Sequence, residues 1–232
     1  MPGTPLEQPE LTDGARAALE PVVELLARER GPSAVRDPER AWRVHVADSL
    51  SGLAFPELAT AGAICDVGAG AGFPGLVIAA MLPDARVDLV ESIGRKADFI
   101  ERAVAAGGIV NARAGRARAE DWAAVGAPGR EAYDAVTARA VGRLSTLAEL
   151  ASPLLREGGS LLAWKGRRDP GEEAELERAA AELAMAPVEV RAARPFGGSE
   201  NRHLHLIRKS APTPPGLPRR AGMAKKRPRG AR

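Results

Sequence analysis

The stretch Ile64-Cys65-Asp66-Val67-Gly68-Ala69-Gly70-Ala71-Gly72-Phe73-Pro74-Gly75 decides the fold of this chain. It predicts a short apolar strand ending near Asp66, a glycine-rich turn, and a helix opened by Pro74. Glycine lets the backbone approach a ligand where a Cβ atom would collide, and proline is tolerated near a helix start because its missing N–H would be unpaired anyway. In α/β folds, nucleotide-like cofactors bind where a strand, a glycine turn and a helix follow one another. We therefore expect Gly68 and Gly70 to line a cofactor site.

Two acidic residues near this turn favour one class of cofactor over another. The turn satisfies the G-x-G-x-x-G pattern of dinucleotide sites. However, Asp66 at the carboxyl end of the first strand would repel a pyrophosphate and attract the ammonium and sulfonium groups of S-adenosylmethionine. A second apolar run ends in Glu91, and an acidic residue at that place accepts the ribose hydroxyls of an adenosine. Glu91 fits NAD and S-adenosylmethionine equally, so the methyl donor is favoured and a dinucleotide or a purely structural turn stays open.

Length and composition suit one α/β domain with modest extensions. Of 232 residues, 45% are hydrophobic and only 3% are aromatic, so aliphatic side chains must fill the core. The single Cys65 excludes a disulfide framework, and the three histidines form no metal-like cluster, so we expect no metal. We see no secretion signal and no run of the ~18 apolar residues that a membrane span requires. We therefore expect a soluble, cytoplasmic protein, and we also expect it to be a monomer.

The net charge of +3 is unevenly distributed along the chain. Residues 211–232 carry seven basic side chains and no acidic one, which leaves 26 basic and 30 acidic side chains in the rest. The segment is polar and rich in proline, so we predict that it is disordered. Its composition is equally typical of a flexible arm for a polyanion and of a solvated extension.

The hydrophobic pattern divides the chain into three regions. Residues 1–60 are predicted to form a helical cap, residues 61–210 an α/β domain, and residues 211–232 the basic tail. The middle region alternates strands and helices, which is typical of a mostly parallel sheet with helices on both faces. The predicted strands are 63–67, 86–91, 109–114, 133–138, 159–165, 188–193 and 203–208. The predicted helices are 14–30, 38–54, 74–81, 94–106, 120–124, 142–155 and 171–184.

Charged residues follow the later strands, at the edge that lines the ligand crevice of such sheets. Ala119 and Glu120 follow the third strand and could bind adenine, although an acid there also suits a helix N-terminus. Arg139 ends the fourth strand and could grip a phosphate or the O6 edge of guanine, or pair with a carboxylate. Lys165 follows the fifth strand beside Trp164, which suits RNA phosphates and base stacking, and equally a core tryptophan beside solvated charges.

The same residues favour an acceptor atom that is already nucleophilic. The fourth strand lacks the Pro-Pro-aromatic signature of methylases that act on exocyclic amines. Methylation of pyrimidine C5 needs a cysteine nucleophile, and Cys65 lies inside the first strand. Guanine N7 has a lone pair in the ring plane and no proton to lose, so its methylation requires positioning and exclusion of water but no general base. Arg139 and Lys165 are the candidates for that positioning.

An ordered set of motifs resembles the bacterial 16S rRNA guanine-N7 methyltransferase family called RsmG or GidB. The motifs cover most of residues 34–209 and are Ala34-Val35-Arg36-Asp37-Pro38-Glu39, His45-Val46-Ala47-Asp48-Ser49-Leu50, the glycine turn, Glu91-Ser92, Arg95-Lys96, Arg118-Ala119-Glu120, Thr137-Ala138-Arg139-Ala140, Lys165-Gly166 and Arg202-His203-Leu204. The resemblance implies a class I S-adenosylmethionine-dependent methyltransferase, with a Rossmann-like sheet of seven mostly parallel strands and a small N-terminal helical cap. It also implies methylation of N7 of guanine 527, in the decoding-region loop of 16S rRNA.

The resemblance also carries site residues and a partner. It implies cofactor contacts at Gly68, Phe73, Ala119, Glu120 and Arg139. The candidates for contact with RNA are Arg139, Lys165, Arg202 and His203, and the partner is 16S rRNA or the small ribosomal subunit. The chain departs from the family pattern before residue 34, and the basic tail is not a general family feature. A methyltransferase for another RNA, a NAD-binding Rossmann oxidoreductase and a non-catalytic RNA-binding protein are the alternatives.

Overall fold

A seven-stranded sheet lies at the centre of the molecule. The computed structural model describes residues 6–231. The strands are β1 (Ala63–Val67), β2 (Arg86–Glu91), β3 (Ala112–Arg116), β4 (Tyr133–Arg139), β5 (Leu155–Lys165), β6 (Met185–Ala193) and β7 (Arg202–Lys209). Their order across the sheet is β3-β2-β1-β4-β5-β7-β6. Strands β1 to β5 are parallel, and β7 runs antiparallel to both of its neighbours.

Helices cover both faces of this sheet. They are α1 (Asp13–Arg28), α2 (Pro38–Ala41), α3 (Asp48–Leu50), α4 (Pro56–Ala59), α5 (Gly75–Met81), α6 (Gly94–Gly107), α7 (Ala119–Trp122), α8 (Leu144–Ala151), α9 (Pro170–Ala179) and α10 (Met223–Lys226). A π-helical turn (Trp42–Ala47) joins α2 to α3, and a 3-10 turn (Ser51–Ala54) follows, so residues 38–54 form one helical stretch. Helices α1, α5 and α6 contribute to one apolar core, and α8 and α9 contribute to the core on the other face.

The first helix shares its core with the sheet. The side chain of Thr12 caps α1 by accepting the Ala15 amide at 3.2 Å, as a threonine at a helix start commonly does. Apolar residues at helical spacing then give α1 one buried face, formed by Leu19, Val22, Val23 and Leu26. This face packs against α5 and α6. The division of the chain at residues 60 and 210 into cap, central domain and tail stays a prediction.

Strand β3 begins three residues later than predicted because of the way the preceding helix ends. Gly108 follows α6 in the left-handed conformation, with φ of +59°, and the Ile109 amide donates to the Val104 carbonyl at 3.1 Å. This arrangement is a common glycine-dependent helix ending. It uses residues 109–111 as a turn, so pairing with β2 within the sheet starts at Ala112.

Helix α8 is shorter than predicted for a similar local reason. The prediction runs from 142 to 155, whereas the helix ends at Ala151. Pro153 follows two residues later, and proline has no amide hydrogen with which to continue the hydrogen bonds of a helix. The chain then enters β5 at Leu155, four residues before the predicted start of that strand.

The C-terminal segment, residues 211–231, is packed on the body of the protein, so the prediction that it is disordered is wrong. Leu217 and Ala224 are only 4% and 2% exposed. The guanidinium of Arg219 forms an ion pair with Glu149 on α8. Composition predicted disorder because it describes only the residues of the segment itself. The carboxylates that bind the segment come from distant parts of the chain.

The strand order places the ligand crevice and separates this fold from dinucleotide-binding sheets. The usual dinucleotide-binding order is 3-2-1-4-5-6, whereas here the antiparallel β7 lies between β5 and β6. The order reverses between β1 and β4, which are neighbours. Ligands of such sheets bind outside the carboxyl ends of the strands at this reversal. The glycine turn that follows β1 lies at this point.

Candidate active site

The turn after β1 has a backbone that glycine adopts far more easily than other residues. Gly68, Gly70 and Gly72 have φ values of +66°, +61° and +88°. There is also little room for a side chain at the first of them, because a Cβ atom on Gly68 would lie 2.8 Å from Cγ2 of Val141. The turn therefore presents bare backbone at the carboxyl edge of the sheet.

Asp66 has a different position from the one predicted. Its carboxylate is fully buried and accepts hydrogen bonds from the Gly75 amide and the Thr137 hydroxyl, each at 3.0 Å. Burial raises the pKa of this carboxyl group to about 6. Asp66 therefore lies behind the turn and ties the start of α5 and the end of β4 together, where the sequence suggested a side chain facing a cationic ligand.

Glu91 braces the turn from the neighbouring strand. Its two oxygens accept the Gly70 amide at 2.9 Å and the Ile93 amide at 2.7 Å, and the side chain is buried. A carboxylate oxygen has more than one acceptor site, so contact with a ribose hydroxyl would use the remaining lone pairs. The ribose contact stays a prediction. What the geometry shows is that Glu91 supports the turn through its hydrogen bond to the Gly70 amide.

A cavity of about 320 Å³ opens between the glycine turn and the N-terminal helices. We call it the arginine cavity. Its walls come from the turn, from helical residues 38–54 and from the ends of β4 and β7. The polar and aromatic side chains that line it are Ser33, His45, Asp48, Phe73, Lys96, Arg139 and Arg202. The structure thus brings together five residues that the sequence predicted for the site, namely Gly68, Gly70, Phe73, Arg139 and Arg202.

His45 and Arg139 form an oriented pair in the wall of the arginine cavity. Arg139 Nη2 lies 3.2 Å from His45 Nδ1, and the imidazole stacks on Phe73 with ring centroids 4.9 Å apart. Burial, helped by the Arg139 charge, lowers the pKa of His45 to about 4, so the ring is neutral at pH 7. Because a guanidinium can only donate, Nδ1 accepts and Nε2 carries the proton, which it donates to the Ser33 hydroxyl at 2.9 Å.

Asp48 connects the helical stretch to two arginines. Its buried carboxylate accepts from Arg139 Nη1 at 3.0 Å, and Arg202 Nε lies 3.8 Å from the other oxygen, Oδ1. Oδ1 has no hydrogen-bond partner among residues 6–231. The backbone carbonyl of Asp48 accepts the Trp164 indole N–H at 2.9 Å. Trp164 is therefore a core residue at this junction, the less specific of the two roles that the sequence left open for it.

The sequence interpretation missed His45 and Asp48 as site residues, although both stand in a motif of the family resemblance. Their i, i+3 spacing puts them on one face of a helix, which is a usable signal for a shared polar site. Nothing local, however, indicates their partner, since Arg139 follows Asp48 by 91 residues.

A second cavity, of about 190 Å³, lies on the other side of the glycine turn. We call it the glutamate cavity. Ala119 and Glu120, which the sequence predicted to bind adenine, start α7 and line this cavity together with Ser92. Gly68 lines both cavities. The two cavities therefore meet at the turn, with a carboxylate in one and a fixed guanidinium in the other.

Lys165 and His203 are paired across β5 and β7 and are held by neighbouring groups. The Lys165 ammonium donates to Glu172 at 2.7 Å and to the Gly142 carbonyl at 2.9 Å. His203 Nδ1 lies 3.0 Å from the Gly166 carbonyl. Of the described residues, these two are not among those that line either cavity. Positioning of an acceptor by Lys165 therefore finds no support in the geometry, and the RNA contacts of both residues stay predictions.

Other kinds of site were searched for within residues 6–231. In that range no group of three or more histidine, cysteine, aspartate or glutamate side chains is placed to hold a metal ion. No helix of the described chain is both long and apolar enough to cross a membrane. Cys65 is buried in β1, where burial raises the pKa of its thiol well above the ordinary value. It is thus a core thiol, as the sequence suggested.

Two solved structures with this fold are a predicted O-methyltransferase and a pre-rRNA processing protein. A predicted O-methyltransferase from Agrobacterium tumefaciens matches with a TM-score of 0.52 and 25% identity, over 72% of this chain and 80% of that one. The fibrillarin pre-rRNA processing protein of Methanococcus jannaschii matches with a TM-score of 0.51 and 16% identity, over 65% of this chain and 67% of that one. The fold and its glycine turn define a class I S-adenosylmethionine-dependent methyltransferase.

The sequence itself specifies the family. The family model described as rRNA small subunit methyltransferase G, or GidB, matches residues 21–205. The chain is 41% identical to Ribosomal RNA small subunit methyltransferase G of Rubrobacter xylanophilus, over 90% of this chain and 82% of that protein. It is 38% identical to the protein of that name from Moorella thermoacetica, over 84% and 81%. The chain belongs to the rRNA small subunit methyltransferase G family, which confirms the resemblance.

Proposed function

We propose that this protein transfers a methyl group from S-adenosylmethionine to N7 of guanine 527 in 16S rRNA. The proposal is supported by one observation above all: the arginine cavity and the glutamate cavity both border Gly68. The chain also belongs to a family of rRNA methyltransferases. The adenosine end of the donor would occupy the glutamate cavity, beside Ala119 and Glu120. Its methionine end would cross the glycine turn towards Arg139, and the guanine would enter the arginine cavity.

The chemistry requires no proton transfer at the acceptor atom. The lone pair of N7 forms a bond to the methyl carbon while the carbon–sulfur bond breaks, and the positive charge passes from sulfur to the guanine ring. The neutral state of His45 suits this step, because another cation beside the ring would oppose the developing charge. The protein then contributes by orienting the reactants and excluding water, which are large effects in bimolecular reactions.

Arg139 is the residue that we assign to the acceptor base. Its side chain is 15% exposed, so its tip is reachable while its position is fixed by Asp48, His45 and the Val44 carbonyl. Arginine commonly recognises the O6 and N7 edge of guanine. A hydrogen bond from Arg139 to O6 alone would leave N7 free to attack the methyl group. Contact of the same residue with the cofactor stays a prediction.

The competing functions differ in what they require. A NAD-binding oxidoreductase is excluded by the family and by the strand order. A methyltransferase for another RNA would share both cavities, and a non-catalytic RNA-binding protein would not need them.

The monomeric state and the cytoplasmic location that the sequence predicted belong to our proposal. Light scattering on the purified protein tests the first of these.

A methylation assay on ribosomal subunits tests the proposal. Small subunits from a bacterial strain lacking the modification are incubated with the protein and methyl-labelled S-adenosylmethionine, and the rRNA is cleaved chemically at N7-methylguanosine. We expect label in 16S rRNA and a strand break at guanine 527. Label at another position or in another RNA would overturn the substrate. Absence of label in every RNA, with protein that binds the donor, would overturn the activity.

A variant of Arg139 connects the assay to the structure. Arg139→Lys keeps the charge but loses the planar fork, so we expect a rate on RNA lowered by ~100-fold, since loss of a well-placed contact has effects of this order. Arg156→Lys is the matched control, because Arg156 pairs with Asp134 with its side chain 65% exposed. Equal rates for the two variants would remove Arg139 from the acceptor site.

A further inference from the structure

The C-terminal segment, residues 211–231, crosses the glutamate cavity. It contributes three of the residues that line this cavity, namely Gly222, Ala224 and Lys225. The Gly222 amide donates to Oε1 of Glu120 at 2.7 Å. The Ala224 carbonyl accepts the Thr146 hydroxyl at 3.2 Å, and Ala224 itself is buried. The cavity therefore has a floor from the sheet edge and an outer wall from the end of the chain.

The body of the protein contains a buried charge that this segment neutralises. Glu149 on α8 is 2% exposed, and each of its oxygens accepts an N–H of Arg219 at 2.5 Å. A carboxylate in such a place is strongly destabilising unless it is paired. A second anchor is Arg130, which donates to the carbonyl of the buried Leu217 at 2.7 Å. The docking surface thus includes groups that depend on the segment for their partners.

The segment also lies outside the part of the chain that the family defines. The family model ends at residue 205. Residues 211–232 carry seven basic side chains and no acidic one, and the rest of the chain has an acidic excess of four. Opposite charges therefore favour docking of the segment on its own protein. Its place over the glutamate cavity therefore concerns a part of the chain that the family model does not match.

We propose that the C-terminal segment is the outer wall of the adenosine site and that Gly222 is a positioning residue for Glu120. The Gly222 amide donates a hydrogen bond to Oε1 of Glu120 and leaves Oε2 free to accept a hydrogen bond from the amino group of adenine. The inference rests on the proposed function, because it takes the glutamate cavity as the place of the adenosine. It assigns the segment to the methyl donor, where its composition had suggested an arm for RNA or a solvated extension.

Two neighbouring arginines provide a matched pair of variants. Arg219→Ala removes the anchor on Glu149, whereas Arg220→Ala removes the same charge from an exposed side chain next to it. Binding of S-adenosylhomocysteine is measured by calorimetry. We expect Kd to rise ~10-fold for Arg219→Ala, because a doubly hydrogen-bonded ion pair is lost, and to stay within ~2-fold for Arg220→Ala. In the methylation assay, KM for the donor should rise while kcat at saturating donor stays within ~2-fold.

A second variant avoids any effect of leaving Glu149 unpaired. Ala224→Leu keeps both anchors and adds volume to the wall of the cavity, so it should also weaken binding of S-adenosylhomocysteine by ~10-fold, because a packed site tolerates added bulk poorly. Circular dichroism shows whether each variant is folded.

The outcomes separate this inference from the proposed function. Unchanged donor affinity in both Arg219→Ala and Ala224→Leu overturns the inference, as do equal effects of the two arginine variants or a change confined to RNA affinity. Tighter binding of S-adenosylhomocysteine after removal of residues 211–232 would also overturn it, because the segment would then compete with the cofactor. If the unaltered protein does not bind S-adenosylhomocysteine, the proposed function itself fails.

Discussion

At the scale of single residues, Gly68 is a position where a side chain is disfavoured for two reasons, its backbone conformation and the lack of space around it. Its φ of +66° and the 2.8 Å approach of Val141 act independently. We expect Gly68→Ala to lower the free energy of unfolding by ~1–2 kcal/mol, from the left-handed backbone, and to abolish measurable binding of S-adenosylhomocysteine. Thermal unfolding and calorimetry measure the two effects.

Gly158 provides the control for that substitution. It has φ of +81°, and a Cβ atom there would find open space within 4 Å. Gly158→Ala should therefore show only the part of the stability loss that comes from the left-handed backbone, with no change in cofactor affinity. If both variants bind S-adenosylhomocysteine like the unaltered protein, the turn does not contact the cofactor.

His45 makes a prediction about pH. Its pKa of about 4 in the folded protein lies below the ordinary 6.5, so between these values the unfolded chain binds the extra proton and stability falls as the pH falls. Above pH 6.5 the ring is neutral in both states. We expect the methylation rate to show no titration of His45 between pH 6 and 8.

His45→Phe keeps the stack on Phe73 but loses both hydrogen bonds of the imidazole. We expect this variant to lower kcat/KM for RNA by ~10-fold, as the loss of one positioning contact does.

The comparison of pH profiles decides this point. The unaltered protein and His45→Phe should have the same shape between pH 6 and 8 and differ only in height. An inflection near pH 6.5 that is present only in the unaltered protein would show that His45 titrates there and that its charge affects the reaction.

At the scale of elements, one side chain joins the end of α5 to the strands that follow. The side-chain nitrogen of Asn111 lies 2.9 to 3.0 Å from the carbonyl oxygens of Ala79, Leu82 and Ala85, which share its two N–H donors. Asn111→Ala leaves these carbonyls without that donor, so we expect a loss of ~2–3 kcal/mol in the free energy of unfolding. Chemical denaturation measures it, and Asn201→Ala is the exposed control. A loss no larger than that of the control would show that water replaces the amide.

The same scale shows which elements local sequence can specify. The strands Ala63–Val67 and Arg86–Glu91 have the predicted bounds because both are rich in the buried apolar residues that a central strand of a parallel sheet requires. The start of β3 was wrong because Gly108 ends the preceding helix in a way that periodicity does not register. Arg139 was predicted at its strand end, whereas the helix that holds it comes from the N-terminal region, and no local pattern records that contact.

At the scale of the whole molecule, the C-terminal segment is the feature that composition misjudged. Its partners Glu149 and Glu120 lie 70 and 102 residues from Arg219 and Gly222, so no window along the sequence contains both sides of a contact. Contacts of this kind become visible only once the sheet and its helices have brought the distant acids together. The seven-stranded architecture, by contrast, repeats one local pattern and was predictable.

Hydrogen exchange tests whether the segment is docked in solution. The Gly222 amide is bonded to Glu120, so exchange of peptides covering 217–227 should be slow compared with that of an unstructured chain. Arg219→Ala should speed this exchange ~10-fold, since it removes an anchor of about the strength of a charge-assisted pair, while Arg220→Ala should not. Exchange at the rate of a free peptide in the unaltered protein would contradict the docked arrangement.

The docked position of residues 211–231 has a practical consequence for handling the protein. A purification tag fused after Arg232 would be attached to the element that walls the glutamate cavity. An acidic tag would compete with Glu149 and Glu120 for the cations and amides of that element. Material tagged at the carboxyl terminus should therefore bind S-adenosylhomocysteine more weakly than the same material after the tag has been cleaved, and inhibitors are best screened on the cleaved form.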